Sequence, residues 1–163
     1  MAGNIFEWLS HIRDLTLASS AASLLADVPG QAGGLKAVFS SHLSALPRVY
    51  HPSVSLTASF HSETVVAGVS QRGTMQVDVW VPDEGPTTGK TGLWKIYVPI
   101  KAMLHNGHER PGHPLNVNNW QVKWCFEGRV EDDLYEQKQH LYHLAALYEV
   151  VLREWGAEHV YGK

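Results

Sequence analysis

Between residues 53 and 126 apolar side chains fall at every second position in several runs, and this period constrains the fold more than any other feature. Val54, Leu56, Ala58 and Phe60 alternate with Ser53, Ser55, Thr57 and Ser59. Met75, Val77, Val79 and Val81 alternate with Gln76, Asp78 and Trp80. Trp94, Ile96, Val98 and Ile100 alternate with Lys95, Tyr97 and Lys101, and Trp120, Val122, Trp124 and Phe126 with Gln121, Lys123 and Cys125. A run over 64–70, followed by a turn at Gln71-Arg72-Gly73, completes about five strands. Strand side chains point alternately to two faces, so each run has an apolar and a polar side. Short links between successive runs predict an antiparallel sheet with one buried face.

On either side the period changes to that of a helix. Ile5, Trp8, Leu9, Ile12 and Leu15 predict a helix over about 4–27, stopped by Pro29-Gly30. Leu35, Val38, Phe39, Leu43 and Leu46 predict a second over 35–46, ended by Pro47. Leu134, Leu141, Leu144, Ala145, Tyr148, Val151, Leu152 and Trp155 predict a long last helix over about 132–155. Asp132 and Asp133 would suit its amino terminus. The expectation is a single α+β domain over 1–163: two N-terminal helices, a sheet of about five strands and a long C-terminal helix. At 163 residues the chain has the common size of one domain, and 44% apolar residues supply a core.

Charge narrows the partners. Thirteen Lys and Arg stand against sixteen Asp and Glu, with no basic block, so nucleic acid is not expected as a partner. Cys125 is the only cysteine, so no internal disulfide can form. The start, MAGNIFEWLSHIRDL, has no long apolar run, so neither a secretory signal nor a membrane span is expected there. A cytoplasmic location fits.

Sorting by face places Trp94, Trp120, Trp124 and Phe60 on the apolar side. Asp78, Lys95, Lys101, Lys123 and Trp80 fall on the other, where Asp78 reads as a member of a cross-strand pair. Polar groups for chemistry must then come from helices and loops. His42 lies beside the apolar stripe of the second helix, either as a buried acid–base group or as a core histidine bonded to a carbonyl. His61 ends the first strand near Glu63, and Tyr50 and Tyr97 offer hydroxyls. Phe39 would join the pocket wall. The loop 105–113 holds His105, His108, Glu109 and His113, which suits a mobile mouth over a pocket. Its spacing matches no standard metal site, and no cofactor is expected. Gly85-Pro86-Thr87-Thr88-Gly89-Lys90-Thr91 approaches a phosphate-binding loop, but it has three residues between its glycines where four are needed. It is also expected to lead into a strand rather than a helix.

The passage Leu46-Pro47-Arg48-Val49-Tyr50-His51-Pro52-Ser53-Val54, leading from helix into strand, resembles the nuclear-transport-factor-2-like superfamily. That group includes SnoaL-type polyketide cyclases and ketosteroid-isomerase-like enzymes. Phe126-Glu127-Gly128-Arg129-Val130-Glu131 resembles the ending of that family's final strand. The resemblance implies a cone-shaped curved sheet around one small apolar molecule and cofactor-free isomerase, dehydratase or cyclase chemistry. A helix-grip cavity fold is the alternative architecture.

The expected function leans toward an enzyme. It would be a cofactor-independent isomerase, cyclase or dehydratase for a hydrophobic polyketide- or terpenoid-like molecule. His42, His61, Tyr50 and Tyr97 are the candidate acid–base groups. Phe39, Phe60, Trp94, Trp120, Trp124, His105 and His108 are the candidate substrate contacts. Two rivals stand beside it. One is a non-catalytic binding or homodimerising module, with Trp80 and Tyr97 marking a partner surface. The other is a metal-dependent enzyme built on the 105–113 loop.

Overall fold

A computed structural model describes residues 5–28, 36–40, 50–65, 68–85, 87–105, 109, 112–118 and 120–154. Helix α1 (Ile5–Ala18) leads into a short 3-10 turn (Ser20–Leu24). Strand β1 is two residues, Val38–Phe39. A long hairpin follows, β2 (Ser53–Val65) and β3 (Gly68–Pro82). Helix α2 (Gly89–Leu104) comes next, and a second long hairpin, β4 (Trp120–Glu136) and β5 (Leu141–Glu154), closes the order. The sheet runs β1-β2-β3-β5-β4. β1 is parallel to β2, and every other pair is antiparallel.

Both helices contribute to one core against one face of this sheet. Trp8, Leu9 and Ile12 of α1 and Leu93, Ile96, Tyr97, Ile100 and Leu104 of α2 are buried. They share a cluster with Val54 and Leu56 of β2, Val77 and Val79 of β3, and Leu144, Ala146, Tyr148 and Val150 of β5. Full burial of each large aliphatic chain is worth about 1.5–3 kcal/mol, so the inner stripe of α2 alone holds that helix firmly on the sheet.

Three expectations are corrected. The long C-terminal helix is not formed: 132–136 complete β4, and Leu141–Glu154 form β5 between β3 and β4. Leu144, Ala146, Tyr148, Val150 and Leu152 also repeat at period two, and a central strand satisfies its backbone on both sides. Pairing therefore overrides the helical propensity of Leu, Ala and Glu. The strand expected over 94–101 is helix α2. Leu93, Ile96, Tyr97, Ile100 and Leu104 lie at helical spacing, and these are the residues the core buries. The second N-terminal helix is replaced, where described, by strand β1 at Val38–Phe39; residues 41–49 lie outside the described residues. The helix-grip architecture needed that long last helix and falls with it, and the expected cone of two N-terminal helices before the sheet is replaced by a β1-β2-β3-β5-β4 sheet with α2 between its two hairpins.

The turn expected at Gln71-Arg72-Gly73 also lies elsewhere. Those residues are inside β3, and the hairpin closes beyond the Val65–Gly68 pair. Gly73 serves close approach instead, since a Cβ there would sit 2.0 Å from the Ser59 carbonyl oxygen. No described helix is long and apolar enough to cross a membrane.

Candidate functional site

The inner face of α2 carries the densest polar cluster. Thr88 is extended and Gly89 has a φ of 66°, which turns the chain from the loop into the helix. Tyr97 then points into the sheet. It donates a hydrogen bond to Glu127 Oε2 on β4 and lies 2.5 Å from the Tyr148 hydroxyl on β5. Because the one Tyr97 proton goes to the carboxylate, Tyr148 donates to the Tyr97 oxygen. Lys101, one turn on, places Nζ 3.3 Å from the other Glu127 oxygen. His105 caps the end of α2, and its Nδ1 accepts the Glu127 backbone N–H at 2.9 Å. Burial, then the bond to Glu127, holds the Tyr97 phenol far above the ordinary tyrosine range. Burial does the same to Tyr148 and pushes the neighbouring Cys125 thiol up to about 12. Two neutral phenols on a carboxylate fasten α2 to β4 and β5. With Tyr97 fully buried, its hydroxyl offers no approach to a substrate.

A second cluster lies on the opposite face. His143 Nε2 is 2.6 Å from Asp78 Oδ1, Gln76 donates to both Asp78 oxygens, and Trp80 stacks on His143 at 3.7 Å. Asp78 is a pair member, as expected, but it is buried and its partner is a histidine on β5.

The residues singled out in the sequence are scattered. His42 and His108 lie outside the described residues. Tyr50 is half-buried in the connection to β2, and Phe39 is half-buried on β1. Phe60 packs edge-on to Trp8 with ring centres 6.0 Å apart. His61 and Trp124 do come together, with Arg72 and Glu149, in a surface hollow of about 250 Å³. The Arg72 guanidinium lies 5.4 Å over the Trp124 ring. The three tryptophans expected on one wall stand on three surfaces. Trp120 is in the core, Trp124 is partly exposed, and Trp94 sits on the shoulder of α2 with Nε1 donating to Asp132 at 2.7 Å. Trp94 left that face because 94–101 is helical, and Trp120 and Trp124 part because the register shifts between Val122 and Trp124. In the 105–113 loop, Glu109 pairs with Lys123 and Arg153, and His113 Nδ1 accepts the Leu115 N–H. Among the described residues no three metal-ligating side chains converge.

The Gly85–Thr91 segment does lead into a helix, contrary to expectation. Its Lys90 is nevertheless committed to Asp132 and Asp133, and the bond to Asp133 raises the ammonium above its usual range. The Trp94 N–H, and after it Lys90, holds Asp132 below the usual carboxylate range.

The sequence did not point to Glu127 and Tyr148 as partners of Tyr97, or to Lys101 as the ion-pair partner of Glu127. Tyr148 carried a signal, since it fits both the helical and the period-two pattern. Glu127 carried none: a register shift between Val122 and Trp124 reverses the alternation, so Cys125 and Glu127 turn to the core side although the sequence period puts them on the other. Also missed was the outer side of α2. Thr91, Trp94, Val98 and Pro99 line an open hollow of about 660 Å³ with Lys90, Lys95 and Asp132 at its rim, and Val98 is 53% exposed.

The sequence matches no family model and no curated protein. Solved structures do match. One is a chain of the "Virion of native gene transfer agent (GTA) particle", 12% identical, with a TM-score of 0.56 over 86% of this chain and 91% of that one. At that identity the likeness is one of fold.

Proposed function

We propose that this chain is a non-catalytic building subunit of a virus-like particle. The observation that carries the reading is the likeness in fold, across most of both chains, to a chain of the gene transfer agent virion. The placement of polar residues supports it. Tyr97, Glu127, Lys101 and Tyr148 are spent on internal fastening, while apolar side chains stand exposed on the outer sides of both helices, Phe6 at 65% and Val98 at 53%. Trp94, Trp120 and Trp124 do not form the pocket wall that the acid–base enzyme reading gave them, while its first proton carrier, His42, lies outside the described residues. A cytoplasmic site of folding goes with the subunit reading, because the lone thiol of Cys125 is buried and needs no oxidising compartment.

Density-gradient fractionation of lysate from producing cells tests this. Peptides of the chain should travel with fast-sedimenting, DNA-containing particles at a constant ratio through two successive gradients. Recovery only among free proteins, with particles present but lacking the chain, would refute it.

A further inference from the structure

The two edges of the sheet differ in kind. β4, at one edge, is interrupted by three register shifts and carries Arg129, Glu131, Asp132, Asp133 and Glu136. Bulges and charges of this sort keep an edge from pairing with another strand. β2, toward the other edge, pairs with β3 through thirteen consecutive residues with no shift. The short β1 covers only its start, Val38 and Phe39 lying beside Val54 and Ser55.

The hydrogen-bonding direction of the rest of β2 follows from that start. The Val54 N–H donates to the Ala37 carbonyl, on the β1 side, at 2.9 Å. A strand residue sends its N–H and C=O to one side, and its neighbours send theirs to the other. Ala58, Phe60, Ser62 and Thr64 therefore direct N–H and C=O away from β3, and among the described residues no strand lies there. Leu56 shares that direction but is fully buried, so the open stretch begins at Thr57 and ends at Val65, where the hairpin turns. Its sequence, TASFHSETV, holds no proline, lysine or arginine and one acid. It lacks the shifts and the charge density that blunt β4.

We infer that residues 57–65 pair, antiparallel, with the same stretch of a second copy of this chain, joining two sheets edge to edge across a two-fold axis. The inference rests on the subunit reading and names one of its contacts. A neighbour's β4 is guarded, so the edge that a copy can offer is β2. The open stretch is also its own complement. When all of it pairs, the axis falls at His61, with Ala58 opposite Thr64 and Phe60 opposite Ser62, so outward residues meet outward residues. A slip by one residue would set outward residues against inward ones and lose the ladder. The one acid, at position 63, falls opposite Ser59, so no carboxylate faces another. The contact is isologous and closes on itself, and its bonds are of backbone, as where any strand is added to a sheet edge.

Sedimentation velocity and disulfide trapping on purified chains test it. The wild type should pass from 18.1 kDa toward twice that mass as concentration rises. Ser62→Pro removes an outward N–H from each copy and leaves the bonds to β3 in place. It should weaken pairing about tenfold or more, with an unchanged melting temperature in dilute solution. His61→Cys puts one exposed thiol on the axis, since Cys125 is buried. Under mild oxidation it should give a disulfide-linked pair, while Thr74→Cys, exposed on β3 away from the axis, should not. If Ser62→Pro lowers the melting temperature, the two cysteine variants decide alone. A wild type that stays at 18.1 kDa at all concentrations overturns the inference, including the case of an edge built for a different protein. So does a folded Ser62→Pro variant that pairs as the wild type does, or a His61→Cys variant that links no more than Thr74→Cys. Failure here, with the chain still present in gradient-purified particles, would remove this contact and leave the subunit reading standing.

Discussion

The Tyr97 hydroxyl on α2 lies 2.5 Å from the Tyr148 hydroxyl on β5, and the same Tyr97 donates to Glu127 on β4. A single side chain thereby joins one helix to two strands that are distant from it in sequence. The bond is made where water is excluded, so removing one partner leaves the others without compensation.

Tyr97→Phe should accordingly cost about 1–3 kcal/mol, because Glu127 loses its donor and Tyr148 its acceptor. Tyr148→Phe should cost less, about 0.5–1.5 kcal/mol, because the bond from Tyr97 to Glu127 survives. Urea unfolding of the two variants checks the order. Equal losses would mean the bonds matter less than the packing.

Stability should fall in alkali. Tyr97, Tyr148 and Cys125 all ionise at higher pH in the folded chain than their ordinary values of 10.0, 10.0 and 9.0. The unfolded chain therefore releases these protons first. Their contribution is fully present below about pH 9 and is lost as pH climbs beyond it. Melting temperatures between pH 7 and 11 should drop above 9, and Tyr97→Phe should flatten the drop. A flat wild-type profile would contradict the buried neutral phenols.

Trp8 and Trp120, both fully buried, should respond differently. Trp8 Nε1 donates to the Leu115 carbonyl at 3.0 Å, while Trp120 Nε1 is buried without an acceptor among the described residues. Trp8→Phe orphans a carbonyl, whereas Trp120→Phe removes an unsatisfied donor. Trp8→Phe should be the more destabilising by about 1–3 kcal/mol in chemical unfolding.

Gly73→Ala should destabilise by about 1–3 kcal/mol, because its methyl would meet the Ser59 carbonyl and force β2 away from β3. An alanine variant that melts with the wild type would show that the hairpin has room there.

The legible parts of this fold were those where one period had no rival. Val54 to Phe60 and Met75 to Val81 fit only a strand, and they are strands. Ile5 to Leu15 fit only a helix, and α1 is there. The segments 93–104 and 141–154 fit both periods, and the choice rested on what lay opposite. Pairing with β3 and β4 made 141–154 a strand, and packing of Ile96, Tyr97 and Ile100 on the sheet made 89–104 a helix. No local window contains those partners. The candidate site was lost with that choice: Trp94 left the sheet, while Tyr97 met Glu127 and Tyr148 at separations of 30 and 51 residues.

Tyr97 on the inner side of α2 fastens the helix to β4 and β5 through Glu127 and Tyr148. Hydrogen–deuterium exchange with mass spectrometry, run on the wild type and on Tyr97→Phe, tests this most directly. Peptides covering 90–104 and 141–150 should exchange faster in the variant, with α1 unchanged. Exchange over those peptides that is the same in both proteins would contradict it.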